Sequence, residues 1–311
     1  MIFNVCMDKN EQKIIDLILR DNTFREEIII DNGEDCSVIF PKQNKNLIIT
    51  SDTRTCGTHF KEDIDPYKLG NISLASSLSD VAAMGGTPAF LILNLTLPGY
   101  NENWISEFSK GVSYWCNKFS MSIIGGDTSK GTLNISCTII AYASSLNSMV
   151  KSNAKIGDAI FVSGEIGNSY YHFLNNNYYL FEPKIELGKN LLNYANSCTD
   201  LSDGLIDGIK QIINKSNVGA KIFIDDIPLN KKLNSDNSSN ITNIEDILSF
   251  GDDYELLFTV PNEDISALLK SCESFGEPIK RIGEITSKNI IEWLKGSELF
   301  DIDINKTYKH F

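Results

Sequence analysis

Carboxylates at the ends of structural elements are the feature of this chain that could do chemistry. Asp35 sits in the turn "DNGEDC". Asp52 closes the run "LIITSD". Asp80 lies inside the small, apolar stretch "SLSDVAAMGG". Asp127 follows two glycines in "IIGGDTSKG". Asp200 and Asp203 flank Ser202 in "TDLSDG", and Asp252 and Asp253 open "GDDYELLF". Taken singly, Asp35 and Asp252 read as turn formers, Asp52 and Asp127 as loop caps, and Asp200 as a helix N-cap.

Asp80 resists such a reading. A carboxylate among Ala75, Leu78, Val81, Ala82 and Ala83 is costly unless charge or hydrogen bonds compensate it. Asp200 and Asp203 are three apart, so on one first helical turn they would share a face and repel. A divalent cation removes such repulsion. Oxygen donors, hydroxyls beside the aspartates (Thr50, Ser51, Thr128, Ser202) and the lack of a Cys/His cluster point to Mg²⁺ rather than zinc. Mg²⁺ is commonly completed by substrate phosphates. No GxxxxGK[ST] phosphate cradle occurs, so at Asp127 a metal would hold the phosphate where a lysine usually does.

The elements that must position these groups follow from pattern. Helices are expected over 11–20, 66–84, 101–119, "DLSDGLIDGIKQIINKS" and "DISALLKSCESF". Strands are expected at "LIITSD", "AFLILNLTL", "TLNISCTIIAYA", "DAIFVSG", "AKIFIDDIPL", "YELLFTV" and "IKRIGEI". "IIGGDTSKG" reads as a strand feeding a tight loop, and "NKKLNSDNSSNITN" (230–243) as a surface loop. The 311 residues suggest two domains, divided near 144–158 as 1–147 and 148–311.

Bulk charge narrows the partners. Lys and Arg number 28 against 41 Asp and Glu, a formal net charge of −13, which disfavours nucleic acid. The seven cysteines show no CxxC pairing, so reduced thiols in a cytoplasm are expected. Neither a signal peptide nor a membrane span is expected.

The order of these motifs resembles the thiamine-monophosphate kinase family, part of a superfamily with aminoimidazole ribonucleotide synthetase, selenide–water dikinase and a hydrogenase-maturation protein. "GEDCSVI", "ITSDTRTCGTHF", "LSDVAAMGGTPAFLILNLTLP", "IIGGDTSKG", "NAKIGDAIFVSGEIGNS", "DLSDGLIDG", "GAKIFIDDIPL", "GDDYELLFTV" and the terminal "YKHF" carry it, from 33 to 311. "THF" and the His–Phe ending are similar to this kinase rather than to its relatives.

The resemblance implies an α+β fold whose N-terminal domain pairs with its copy, with an active-site cleft between domains. It implies ATP as co-substrate, several Mg²⁺ ions and thiamine monophosphate as acceptor. Metal ligands would be Asp35, Thr50, Ser51, Asp52, Asp80, Asp127, Asp200 and Asp203, with Asp80, Asp127 and Asp203 the catalytic carboxylates. Gly126, Asp127, Lys151 and Ser202 would touch ATP, and His59, Asp252 and Tyr308 the thiamine substrate. The chain departs from the pattern in four places. Lys151 stands for an arginine, Asp252 for a glutamate, "GED" for "GDD" at 33–35, and Asn168 with Tyr170–Tyr171 for Asp and alanines. The alternatives are another ATP-dependent enzyme of the superfamily or a non-catalytic binding protein.

Overall fold

The computed structural model describes residues 9–32, 34–143, 149–235 and 243–304. Tyr308 and the expected division between 147 and 148 lie outside them. The chain forms two compact units, one of residues 1–81 and 87–145 and one of 82–86 and 146–311. Among the described residues no helix is long and apolar enough to cross a membrane.

The first unit is built on a four-stranded sheet. Its elements are α1 (Lys9–Leu19), the short pair β1 (Ile28–Ile30) and β2 (Val38–Ile39), β3 (Asn46–Thr55), α2 (Pro66–Ala83), β4 (Thr87–Leu97), α3 (Glu102–Phe119), β5 (Ser122–Lys130) and β6 (Asn134–Ala143). The order is β3-β6-β4-β5, antiparallel except for the parallel β4–β5 pair. Helix α3 starts where Asn101 accepts the Trp104 N–H, and ends in a left-handed Ser120. It crosses α2 at glycines. A Cβ on Gly70 would lie 2.2 Å from the Phe108 carbonyl oxygen, and one on Gly111 would lie 2.1 Å from that of Tyr67. That close approach lets Trp115 donate to the Asn71 carbonyl at 3.1 Å and buries α2 continuously from Leu69 to Ser79.

The second unit holds β7 (Ala159–Ser163), α4 (Asn168–Leu174), α5 (Ile185–Leu191), β8 (Ser197–Asp200), α6 (Leu205–Ser216), β9 (Gly219–Phe223), α7 (Lys232–Ser235), α8 (Ile244–Ser249), β10 (Leu256–Val260), α9 (Ile265–Phe275), β11 (Ile279–Thr286), β12 (Ile291–Lys295) and β13 (Glu298–Leu299). Seven strands run β13-β12-β9-β11-β7-β10-β8, with only β12–β9 parallel. Helix α6 lays Leu205, Ile206, Ile209, Ile212 and Ile213 into the core against Ile160, Leu257 and Ile285.

Three expectations need correction. "GGDTS" is not a tight loop. It continues β5 to Lys130, and Gly126 (φ +149°) lets the strand pass so close to β4 that a Cβ there would meet the Leu93 carbonyl at 1.8 Å. Asp200 and Asp203 do not share a first helical turn. Asp200 ends strand β8, Asp203 lies in the following loop, and α6 begins at Leu205 after Gly204 (φ +93°). The stretch from 230 to 243 is not loop throughout. Asn230 is buried, α7 forms, and Leu233 packs on the core. Residues 236–242 lie outside the described part of the chain.

Candidate active site

In the first unit, strand alternation sorts the expected ligands onto two faces. Thr50, Asp52 and Arg54 point toward α2. Thr50 Oγ1 donates to Asp80 Oδ2 at 2.5 Å. Burial raises the Asp52 carboxyl from its ordinary 3.8 to about 6, and the charge of Asp80 pushes the same way. A hydrogen bond from Ser77 and the Arg54 guanidinium oppose the shift. Thr50, Asp52, Ser77 and Asp80 therefore form one half-buried cluster, all oxygen donors, whose two carboxylates repel.

The opposite face carries hydroxyls in pairs. Ser51 and Thr138 lie 2.7 Å apart, Thr53 and Ser136 also 2.7 Å, and Thr96 and Ser129 3.1 Å. Asn94 is registered against both Ser136 and Asp127, and Thr96 against Ser129. By the two-residue period Asp127 falls on this hydroxyl face with Ser51, away from Asp52. Asp127 and Asp35 are exposed. Among the described residues, no three His, Cys, Asp or Glu side chains stand close enough to form a metal centre by themselves. The Thr50–Asp52–Asp80 cluster fits a hard cation such as Mg²⁺, which takes few protein ligands and keeps waters.

His59 follows β3 in a turn opened by Gly57 (φ +85°). The Thr55 N–H donates to His59 Nδ1 at 3.0 Å, so the neutral ring carries its proton on Nε2. His59 is thereby set up as a donor, not as a base.

In the second unit the loop 201–204 meets the loop 251–255. The Asp252 N–H donates to the Ser202 carbonyl at 2.8 Å and the Tyr254 N–H to that of Leu201 at 3.1 Å. The contact requires glycine at 251, since a Cβ there would lie 2.2 Å from the Ser202 oxygen. Asp252 (φ +64°) and Tyr254 (φ +52°) are both left-handed, at about 1–2 kcal/mol each for an ordinary side chain. Aspartate tolerates this conformation better than most side chains do. Asp253 is structural. Its buried carboxylate accepts from the Gly167 N–H at 2.7 Å, the Ser169 N–H at 2.8 Å and the Ser169 hydroxyl at 2.9 Å. Burial still raises it to about 6.

Ser202 and Asp203 precede the N-terminus of the 12-residue α6, whose positive end favours an anion. Lys151 is clamped beside the same helix. Its Nζ donates to Gln211 Oε1, and Gln211 Nε2 donates to Asp207 Oδ2 at 2.5 Å. Lys155 is exposed. Sequence reasoning missed Ser77, which the three-residue spacing to Asp80 on α2 could have revealed, and Gln211, for which no local signal exists.

Residues 33–143 match the AIR synthase related protein N-terminal domain, and 180–293 its C-terminal domain. The thiamine-monophosphate kinase of Haemophilus influenzae is 35% identical over 296 residues, 88% of this chain and 89% of that protein. The crystal structure of the thiamine-monophosphate kinase of Stenotrophomonas maltophilia K279a superposes with a TM-score of 0.81 at 29% identity, covering 92% of this chain and 97% of that one. A structure described as AaThiL complexed with AMPPCP and TMP shares the fold, with a TM-score of 0.75 at 24% identity over 99% of this chain and 100% of that one.

Proposed function

This chain belongs to the thiamine-monophosphate kinase family of the AIR synthase related proteins, and we propose that it transfers the γ-phosphoryl group of ATP to thiamine monophosphate, giving thiamine diphosphate and ADP. The observation that carries the reading is the 35% identity to a thiamine-monophosphate kinase over 88% of this chain. The solved relative bound to AMPPCP and TMP supports it. Every expected metal-binding position here also keeps an oxygen donor.

The nucleophile is a phosphate oxygen of thiamine monophosphate. A phosphomonoester's second pKa is about 6, so it is already ionised at neutral pH and needs no general base. The protein's task is positioning two polyanions for in-line attack. Asp52 and Asp80, with Thr50, would hold Mg²⁺, and Asp35, Ser51, Asp127, Asp200 and Asp203 complete the proposed ligand set. Bound Mg²⁺ supplies charge neutralisation for the phosphates. Ser202 and the α6 N-terminus bind phosphate oxygens of ATP, Lys151 adds a positive charge, and the Gly126–Asp127 stretch also meets ATP. His59 donates from Nε2 to the acceptor, and Asp252 meets the cationic thiamine ring system.

Tyr308 joins Asp252 in this reading. The Asp303 N–H donates to Glu245 Oε1 at 3.2 Å, tying the chain there to the start of α8. The reading places the enzyme in the cytoplasm as a homodimer paired through its first unit, which sedimentation would test.

The function is tested by incubating the protein with ATP, Mg²⁺ and either thiamine monophosphate or thiamine, and separating the products. Thiamine diphosphate from the monophosphate alone supports it. Equal production from free thiamine counts against it.

A further inference from the structure

Tyr254 is a bulky aromatic residue at φ +52°, a conformation such a side chain rarely holds without support. It lies two residues after Asp252, which is left-handed as well. Tyr254 is buried, and its ring stacks on Phe181 with centroids 4.2 Å apart and planes 15° from parallel. Phe181 belongs to the segment 178–184, between α4 and α5. That segment is fixed at a second point, where Lys184 Nζ lies 3.7 Å from Glu255 Oε2 and 3.4 Å from Glu277 Oε2. Glu255 is itself held by the Ser163 hydroxyl at 2.5 Å. The segment therefore grips consecutive residues, Tyr254 by its ring and Glu255 by its charge, just after the residue that faces the substrate.

We propose that Phe181 and Lys184 are positioning residues: they lock Tyr254 and Glu255, and through them fix the angle at which Asp252 meets the thiamine ring system. The inference rests on the substrate role of Asp252 given above. Asp253 cannot do this alone. Its bonds to Gly167 and Ser169 hold position 253, and the Tyr254 N–H bond to the Leu201 carbonyl holds the backbone at 254, but these bonds do not set the Tyr254 ring. Aspartate tolerates the left-handed region through local hydrogen bonding, whereas tyrosine does not. The Phe181 stack adds side-chain support for that conformer at 254. Phe181 and Lys184 reach Tyr254, Glu255 and Glu277, none of them assigned to ATP, so the larger effect is expected on the thiamine substrate.

Steady-state kinetics of the full chain test this, with both substrates varied. Phe181→Leu keeps apolar bulk but loses the ring plane. It should raise the KM for thiamine monophosphate about tenfold while the KM for ATP stays within about twofold, and Phe181→Tyr, which keeps the ring, should leave the KM for thiamine monophosphate near wild type. Tyr254→Gly removes both the ring and the cost of the positive φ. In that background Phe181→Leu should add less than about twofold, the non-additivity expected of two residues acting through one contact. Should Phe181→Leu not fold, Lys184→Met carries the same expectation, with Lys184→Arg as its rescue. A parallel rise of both KM values, an unchanged KM for thiamine monophosphate, or additive effects in the double variant would overturn the proposal. Wild-type protein that makes no thiamine diphosphate would defeat the kinase reading itself. Active wild type with unshifted variants would defeat only the positioning role.

Discussion

The Thr50 hydroxyl, on strand β3, donates to Oδ2 of Asp80, on helix α2, at 2.5 Å. This bond ties the sheet to the helix at the point where the charge of Asp80 bears on Asp52. A structural ion pair would have placed a lysine or arginine opposite Asp80. Here the partner of Asp80 is a neutral hydroxyl and its charged neighbour a second carboxylate, Asp52, whose charge Arg54 offsets only in part, an arrangement that a bound cation stabilises.

Asp80→Asn should therefore remove most activity, at least about 100-fold in kcat/KM, because a ligand charge is lost at nearly constant shape. The thermal midpoint without metal should stay level or rise, since repulsion of Asp52 is relieved. Calorimetry with and without Mg²⁺ checks this. A collapsed midpoint in the metal-free variant would make Asp80 structural.

Asp253 gives a pH dependence whose sign is fixed. Burial lifts its carboxyl from 3.8 to about 6 in the folded state. The folded chain thus binds this proton more tightly than the unfolded chain. The contribution is fully present below about pH 4 and is lost as pH rises through about 6. Urea unfolding at several pH values should show wild type losing stability over that window relative to Asp253→Asn, whose profile lacks this term. Parallel profiles would contradict it.

Lys151 reaches Gln211, which is held by Asp207. Losing one charge-assisted hydrogen bond of about 1.5 kcal/mol should raise the KM for ATP roughly tenfold in Lys151→Ala. Lys151→Arg should be tolerated and bring a planar fork that can grip a phosphate with two parallel bonds. Lys155→Ala, at an exposed position, should leave that KM unchanged. The reverse pattern would move the contact to Lys155.

Gly70 tests the scaffold. A Cβ there would sit 2.2 Å from the Phe108 carbonyl oxygen and 3.2 Å from the Val112 nitrogen. Gly70→Ala should force α2 and α3 apart and cost about 1–3 kcal/mol by denaturant unfolding. Gly99→Ala, with no atom within 4 Å of the new Cβ, serves as the control.

What the sequence disclosed was whatever its local pattern determines. The amphipathic pattern of 101–119 marks α3 within a residue of its start. The small residues of 66–84 announce close packing, which Gly70 and Gly111 realise. The motifs gave the family. Strand β8, "SCTD", went unread because its four residues have no apolar rhythm and owe their strand conformation to pairing with β10. The glycines at 125–126 mislead because a glycine for a turn and one for close strand approach look alike in sequence. The placement of Asp127 and Asp52 on different faces follows from a β4–β5 register with a shift at Leu91/Ile92, which is set by tertiary contacts. Tyr254 carries no sign of its positive φ, because its partner Phe181 is 73 residues away.

The most direct measurement follows the label from ATP carrying ³²P in its γ-phosphate, incubated with the protein, Mg²⁺ and thiamine monophosphate. Direct transfer predicts one labelled product, thiamine diphosphate bearing ³²P in its terminal phosphate, with unlabelled ADP formed in equal amount. Labelled inorganic phosphate with unchanged thiamine monophosphate, or AMP in place of ADP, would contradict the account.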